Sequence, residues 1–451
     1  MIGLDGAEPS LVFDRLAGRM PFLNGLAARG CGGPLRSTDP PVSLPAWATM
    51  FTGRDPGELG LYGFRRRADR GYGPALLVDS RRIRAEWVWD ELSRAGLTST
   101  VIGVPGTYPP WPLRGRLVAG VLSPGPESAF VWPPEQRAAL HRLAGPGGYR
   151  IDVEGYRTAD KQRLRHEVTA VTRARFRVAR AWAAEPDWDL MVLVDMGPDR
   201  MHHGFWRDFD PAHRLHRPDG PYAEAIPDFY AALDRQVADL VQAAGPEVAV
   251  LVVSDHGGRA MQGALHINEW LIQQGDLCLH QAPVQAGPLR PEMVDWARTR
   301  AWADGGFHAR IWINRRGREP RGAVDPADYA AYRAGLAERL EAIGDEAGRP
   351  LGTRVLWPER IYRQLRGVAP DLIAYPGDLA WRAAASVGSG RTHARGNDTG
   401  PDDANHSAAG ICLWFDPGRP KSEHRQVRSI LEIAPLIREH FGLETQERDW
   451  P

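Results

Sequence analysis

At 451 residues, with 43% hydrophobic and 25% charged positions, the chain has ordinary globular composition and enough material for a large core. Its formal net charge of zero excludes a long-range field steering it to duplex nucleic acid or an anionic membrane, so an anionic ligand must be held locally. The three cysteines, Cys31, Cys278 and Cys412, are far apart and form no CxxC, which points to free thiols in a reducing, cytoplasmic setting. No apolar run reaches membrane-spanning length and no signal peptide precedes Met1.

Residues 1–4 predict a strand that ends in Asp5-Gly6, so either this strand is short or the native start lies upstream. Helical spacing follows at 11–16 and 22–28, and 30–33 reads as the close of that unit. Residues 40–53, PPVSLPAWATMFTG, carry the most informative local signal. Pro45 lacks an N–H and suits a first helical turn, leaving Ser43 near the N-cap beside unpaired N–H groups that favour an anion. Taken alone, the stretch reads as an ordinary capping serine.

A helix is expected over 86–95 and a strand over 98–104, running into the Gly/Pro-rich loop 105–110, where Thr107 and Tyr108 are read first as loop packing and alternatively as lining a pocket. Leu164, Val168, Val171, Val178 and Trp182 predict an amphipathic helix over 160–184, with its arginines facing water. Strands at 189–194 and 248–253 again end in acids, Asp195 to Asp199 and Asp255-His256. Residues 261–395 mix short strands (309–314, 370–375) with a helix at 325–343 that has Pro326 in its first turn. They read as a smaller cap inserted into a core made of 1–260 and 396–451. His406 stands just before a last strand, 411–415, and a helix over 430–441 closes the pattern.

The candidate metal ligands are Asp5, Asp199, His203, Asp255, His256 and His406. Asp199 and His203, four apart, share one face of a helix and can chelate one ion. His202 is the alternative to His203, and His308 or His393 could also enter the site. Mixed imidazole and carboxylate ligands without cysteine suit catalytic zinc or a similar metal. The set is too large for one tetrahedral site with an open position, and suits two ions with a serine oxygen between them.

The words IGLDGAEP, PPVSLPAWATMFTGRDPGELGLYGF, GVPGTYPP, DMGPDRMHHGFW and VVSDHGG resemble the alkaline phosphatase superfamily, specifically its type I phosphodiesterase/nucleotide pyrophosphatase branch. Within it, the chain is most similar to bacterial and archaeal proteins described as predicted phosphohydrolases or phosphomutases. The resemblance implies an α/β fold with a central, mostly parallel sheet flanked by helices. It also implies two divalent cations, zinc first and manganese as the alternative. Asp5, Asp255 and His256 would hold one beside the nucleophile Ser43, and Asp199, His203 and His406 the other. Two departures bear on substrate: Leu61-Tyr62-Gly63-Phe64 stands where many nucleotide pyrophosphatases carry a phosphoryl-binding asparagine, and Leu59-Gly60 where related proteins have His-Gly.

The expected activity is hydrolysis of phosphate diesters or pyrophosphate linkages in nucleotide-type small molecules, through a phosphoserine on Ser43. A phosphomonoesterase or phosphomutase using the same site is the alternative, and a non-catalytic metal- or phosphate-binding protein is a third reading. A monoester would need a further cation, and no arginine near Ser43 is assigned to it. The stretch around Ser43 lacks the Cys/Ser-x-Pro-x-Arg pattern of sulfatases.

Overall fold

The β-branched runs expected as strands lie side by side in the computed structural model, which describes residues 1–443. One eight-stranded sheet comprises Ile2–Leu4 (β1), Cys31–Arg36 (β2), Ser99–Ile102 (β3), Gly115–Val118 (β4), Val131–Trp132 (β5), Leu190–Asp195 (β6), Val250–Val253 (β7) and Ala409–Phe415 (β8). Their spatial order is β2-β8-β7-β1-β6-β3-β4-β5. The middle strands β7, β1, β6, β3 and β4 run parallel, with Ile2 opposite Leu193 on one side and Val252 on the other. At the flanks β8 pairs antiparallel with β7 and β2, and β5 antiparallel with β4.

β1, β6 and β7 are buried along their whole length, as expected for strands covered on both faces. Being parallel, they deliver Asp5, the segment after Asp195, and Asp255-His256 to the same edge of the sheet. Flanking helices include Ser43–Thr52 (α1), Lys161–Ala183 (α2), Gly197–Phe209 (α3) and Ala225–Ala244 (α4). The stripe Leu164, Val168, Val171, Val178 and Trp182 of α2 is buried, and the Asp160 side chain caps the helix by accepting the Arg163 N–H.

Several expectations need correction. Residues 30–33, read as the close of the first unit, lead instead into β2, an edge strand where Pro34 costs no ladder bond. Arg175 of α2 does not face water: it is 1% exposed and forms an ion pair of 3.0 Å with Asp195. His406 does precede the last strand, as expected, but sits in a short strand of its own, Ala404–Ser407, where it pairs with Gly258 of Gly257–Ala260. The helix expected over 325–343 is Tyr329–Glu341, so Pro326 precedes it. The region 430–441 divides into a short tight turn, Ile430–Glu432, and a helix, Ile433–His440. Residues 444–451, placed in the core by the sequence reading, lie outside the described residues.

Residues from Leu265 to Ala383 build a second hydrophobic cluster around Trp302, Ile311, Trp312 and Leu336. It is organised on a four-stranded sheet of Ala301–Asp304, Ala309–Ile313, Leu372–Tyr375 and Arg354–Leu356. The excursion after α1 reaches over to it, with Tyr72 stacked on Trp296 at 3.7 Å and bonded to Asn314.

Candidate active site

Ser43 opens α1 rather than capping it. Val42, in an extended conformation, is the N-cap, and the Ser43 side chain makes no capping bond. Its hydroxyl lies 3.4 Å from Asp5 Oδ1 and 3.3 Å from His256 Nε2, in a setting where the serine is 2% exposed. The helix still presents its free N–H groups at this end, a favourable place for an anion.

Asp5 leaves β1 at Gly6, whose φ of +73° needs glycine and lets Asp199 approach. The Asp5 backbone binds Asp195 and Asp199, and its Oδ2 accepts a 2.7 Å bond from Trp47 Nε1 of α1. Asp199 and His203 share a face of α3, with Asp199 Oδ1 3.3 Å from His203 Nε2 and 3.5 Å from His406 Nε2. Asp199, His203 and His406 therefore converge within metal-chelating distance, and Asp5, Asp199 and His256 form a second such group. Asp199 belongs to both. Asp255 stands at the rim of the second group, its Oδ1 taken by the Gly6 N–H and its Oδ2 3.2 Å from His256 Nε2.

The histidine tautomers are set by what lies behind the rings. His406 Nδ1 faces the Pro41 carbonyl at 2.7 Å and His256 Nδ1 the Gly257 carbonyl at 2.9 Å. A carbonyl only accepts, so each Nδ1 carries the proton and each Nε2 lone pair points into the centre. Asp402 does the same for His203, at 2.6 Å from its Nδ1. This carboxylate–histidine arrangement is how metal-binding imidazoles are usually held.

Two buried atoms in the cluster, Asp255 Oδ2 and His406 Nε2, have no hydrogen-bond partner, as atoms reserved for a cation would. The electrostatics agree. Burial, then Asp255 and Asp199, push the Asp5 carboxyl well above its usual range, and burial followed by Asp199 lifts Asp255 to about 8. Burial opposes a charge on His203, but Asp402 and Asp199 raise it to about 10. Such a concentration of buried carboxylates calls for positive charge. The donor set, all imidazole and carboxylate, fits divalent zinc or manganese.

His202, the alternative ligand, turns away. Its Nε2 meets Tyr230 Oη at 2.9 Å and its ring packs on Trp206. His393 lies edge-on to Trp381, whereas His308 lines the cavity in front of Ser43. Thr107 is buried and binds the Val104 carbonyl, in keeping with loop packing.

Sequence reasoning missed the groups behind the ligands: Asp402, Trp47 and Arg200, which pairs with Asp152 and with the outer oxygen of Asp199. The acidic run DDANH leading into His406 was the available signal for Asp402.

The fold is that of the alkaline phosphatase superfamily, and two Asp/His groups that could hold metal ions gather at one edge of its central sheet. The family model for type I phosphodiesterase / nucleotide pyrophosphatase matches residues 1–402, and the chain belongs to that family of enzymes. Comparison with curated proteins gives no match. Among solved structures, phosphonoacetate hydrolase from Sinorhizobium meliloti, in complex with phosphonoformate, superposes with a TM-score of 0.58 at 16% identity, covering 96% of this chain and 93% of that one. Human ectonucleotide pyrophosphatase / phosphodiesterase 5 gives 0.58 at 13% identity, covering 99% and 96%. The inactive murine protein in complex with AMP gives 0.53 at 12%, covering 99% and 96%. At these identities the likeness is one of fold. Among the described residues no helix is long and apolar enough to cross a membrane.

Proposed function

We propose that the chain hydrolyses phosphate diesters or pyrophosphate linkages of nucleotide-type small molecules through a phosphoserine on Ser43, acting in the cytoplasm. The observation that carries this reading is the Ser43 hydroxyl, buried at a helix N-terminus and held between Asp5 and His256. Asp5, Asp255 and His256 would hold one zinc or manganese ion, and Asp199, His203 and His406 another. Cations bound there would lower the proton affinity of the serine hydroxyl and offset the charge of the phosphoryl oxygens.

Ser43 gives its hydroxyl proton to water, its Oγ attacks phosphorus as the bond to the leaving oxygen breaks in line, and that oxygen takes a proton back from water. Water then attacks the phosphoserine. The P–Oγ bond breaks, Ser43 regains a proton and the phosphoryl product departs. Trp47 keeps Asp5 oriented, while Asp402 and the Pro41 and Gly257 carbonyls keep the imidazole lone pairs aimed inward, so little rearrangement is needed during the reaction.

The region 261–395 acts in this reading as the cap that selects substrate, because Gly305 to His308 and Arg310 form a wall of the cavity that contains Ser43. The free cysteines Cys31, Cys278 and Cys412 suit a reducing compartment.

The test is a panel of bis-aryl phosphate, aryl monophosphate, nucleotide sugar, dinucleotide and phosphonate, assayed with protein loaded with zinc or manganese. Intact-mass detection of quenched reactions accompanies it. Diester or pyrophosphate turnover with a phosphoryl adduct on Ser43 is the expected result. Turnover with no adduct on rapid quenching would remove the covalent step, and a positional isomer as sole product would favour the mutase alternative.

A further inference from the structure

The segment that leads into α1, residues 37–43, is a strap that touches the candidate centre at three points. Ser37 Oγ donates to the Asp255 carbonyl at 2.5 Å, the Pro41 carbonyl accepts from His406 Nδ1 at 2.7 Å, and Ser43 presents its hydroxyl to Asp5 and His256. Thr38 Oγ1 and the Val42 N–H both donate to the Pro40 carbonyl, at 2.7 and 2.9 Å, so the strap is closed on itself.

The cap holds this strap from the other side. Tyr375 Oη donates to Asp39 Oδ1 at 3.0 Å, and Tyr362 Oη donates to the Asp39 carbonyl. The exposed Arg36 reaches the same carboxylate at 3.5 Å. The two tyrosines are 1% and 7% exposed. Buried tyrosine hydroxyls take an acceptor wherever one is in reach, but these two converge on a single residue of the strap.

The same cap stretch grips the chain that follows α1. The Arg363 N–H donates to Asp55 Oδ2 and the Arg366 N–H to the Gly57 carbonyl, each at 2.9 Å, and Tyr62 Oη donates to the Arg366 carbonyl. A side chain at Gly57 would run into the Gln364 carbonyl and the Tyr362 side chain, so this approach needs glycine. The cap therefore fastens the chain on both sides of α1.

These contacts belong to the sheet that also carries the cavity wall. Ala309 pairs with Ala374, so the strand that follows Phe307 and His308 lies beside the strand that ends in Tyr375. The His308 ring stands edge-on to Tyr375 at 6.2 Å. Paired strands thus run from the wall in front of Ser43 to the hydroxyl that holds Asp39.

We propose that Asp39 is a positioning residue, through which Tyr362 and Tyr375 of the cap set the Ser43 hydroxyl and the His406 ring. The cap then aligns the nucleophile as well as walling the cavity. The kinetic consequence rests on the phosphoester reading of Ser43, and the metal-binding consequence does not.

Variants of the full chain test it. With manganese-saturated protein and a bis-aryl phosphate, Tyr375→Phe and Asp39→Ala should each lower kcat about 10- to 100-fold, the scale of a small misplacement of reacting atoms, with KM within ~3-fold of wild type. Asp39→Asn, which keeps an acceptor for Tyr375, should recover most of the loss. Tyr332→Phe deletes a cap hydroxyl that donates to Asp276, away from the strap, and should keep wild-type kcat. Circular dichroism confirms folding, and assays run well below the lowest Tm. Wild-type kcat in Tyr375→Phe and Asp39→Ala, or an equal loss in Tyr332→Phe, would overturn the proposal. Zinc affinity, measured by chelator competition, needs no substrate. Asp39→Ala should weaken it about 10-fold, the scale of disturbing the partner behind a metal-binding histidine, and Tyr332→Phe should leave it unchanged. Equal zinc affinity in wild type and Asp39→Ala would also overturn the proposal. If no phosphate ester is turned over, the phosphoesterase reading falls and the zinc comparison alone decides the role of Asp39.

Discussion

Ser43 and Asp402 illustrate two ways in which one side chain can matter here. Ser43 Oγ sits where a phosphoryl group would be attacked, and no other hydroxyl is bonded to both Asp5 and His256 among the described residues. Ser43→Ala should therefore lower kcat by at least about ten-thousandfold, the scale of losing a nucleophile, while metal content stays at the wild-type level. A purified variant retaining near wild-type kcat would exclude Ser43 as the attacking group. Asp402 touches no reacting atom in this arrangement. It fixes the His203 ring and is itself held by Arg157. Asp402→Asn preserves the volume and removes the charge, so metal affinity should fall about 10–100-fold, as is typical when a partner behind a metal-binding histidine is lost. Competition with a chromophoric chelator measures it, and an unchanged affinity would mean that the ring is oriented by its packing alone.

The elements that carry the site are braced from behind, and the bracing is polar. Asp195, at the end of β6, is fully buried and accepts from Arg175 Nη1, Thr172 Oγ1 and the Gly197 N–H, tying α2 to the start of α3. Arg175→Met leaves that carboxylate without its cation and should destabilise the protein by about 3–5 kcal/mol. Adding Asp195→Asn should recover part of the loss, because the uncompensated charge is then gone. Chemical unfolding midpoints compare the two, and a double variant less stable than the single one would contradict the account. The same residue shows what a linear reading can and cannot reach. The places of Asp5, Asp255 and His256 at strand ends, and of Asp199 on a helix, were legible because the apolar runs that precede them mark those elements. Arg175 was not, since its partner lies on another element and a helix rich in arginine gives no sign of which one turns inward. β2 was hidden by Gly-Gly-Pro, and the N-cap position by one residue, although the Pro45 argument located the helix start.

Across the whole molecule, the ends of β1 and β7, the helix α3 and the His406 strand bring together Asp and His side chains that could hold a metal ion, from regions far apart in the chain. Asp5, Asp199 and Asp255 are 0%, 4% and 0% exposed, so their mutual repulsion is not relieved by solvent. The folded state should thus be stabilised by whatever cation answers that charge, since the separated ligands of an unfolded chain bind it far more weakly. At a hundredfold excess of metal over its Kd the gain is about 2.7 kcal/mol for each site, enough to move Tm by several degrees. Treatment with a chelator should lower Tm and abolish turnover, and added zinc or manganese should restore both. If Asp255, at the rim, belongs to the centre, Asp255→Ala should reduce the stoichiometry of bound metal and shrink that rise in Tm. A chelated protein with the same Tm as the metal-loaded one, in wild type and variant alike, would show that these carboxylates are held by protonation rather than by cations.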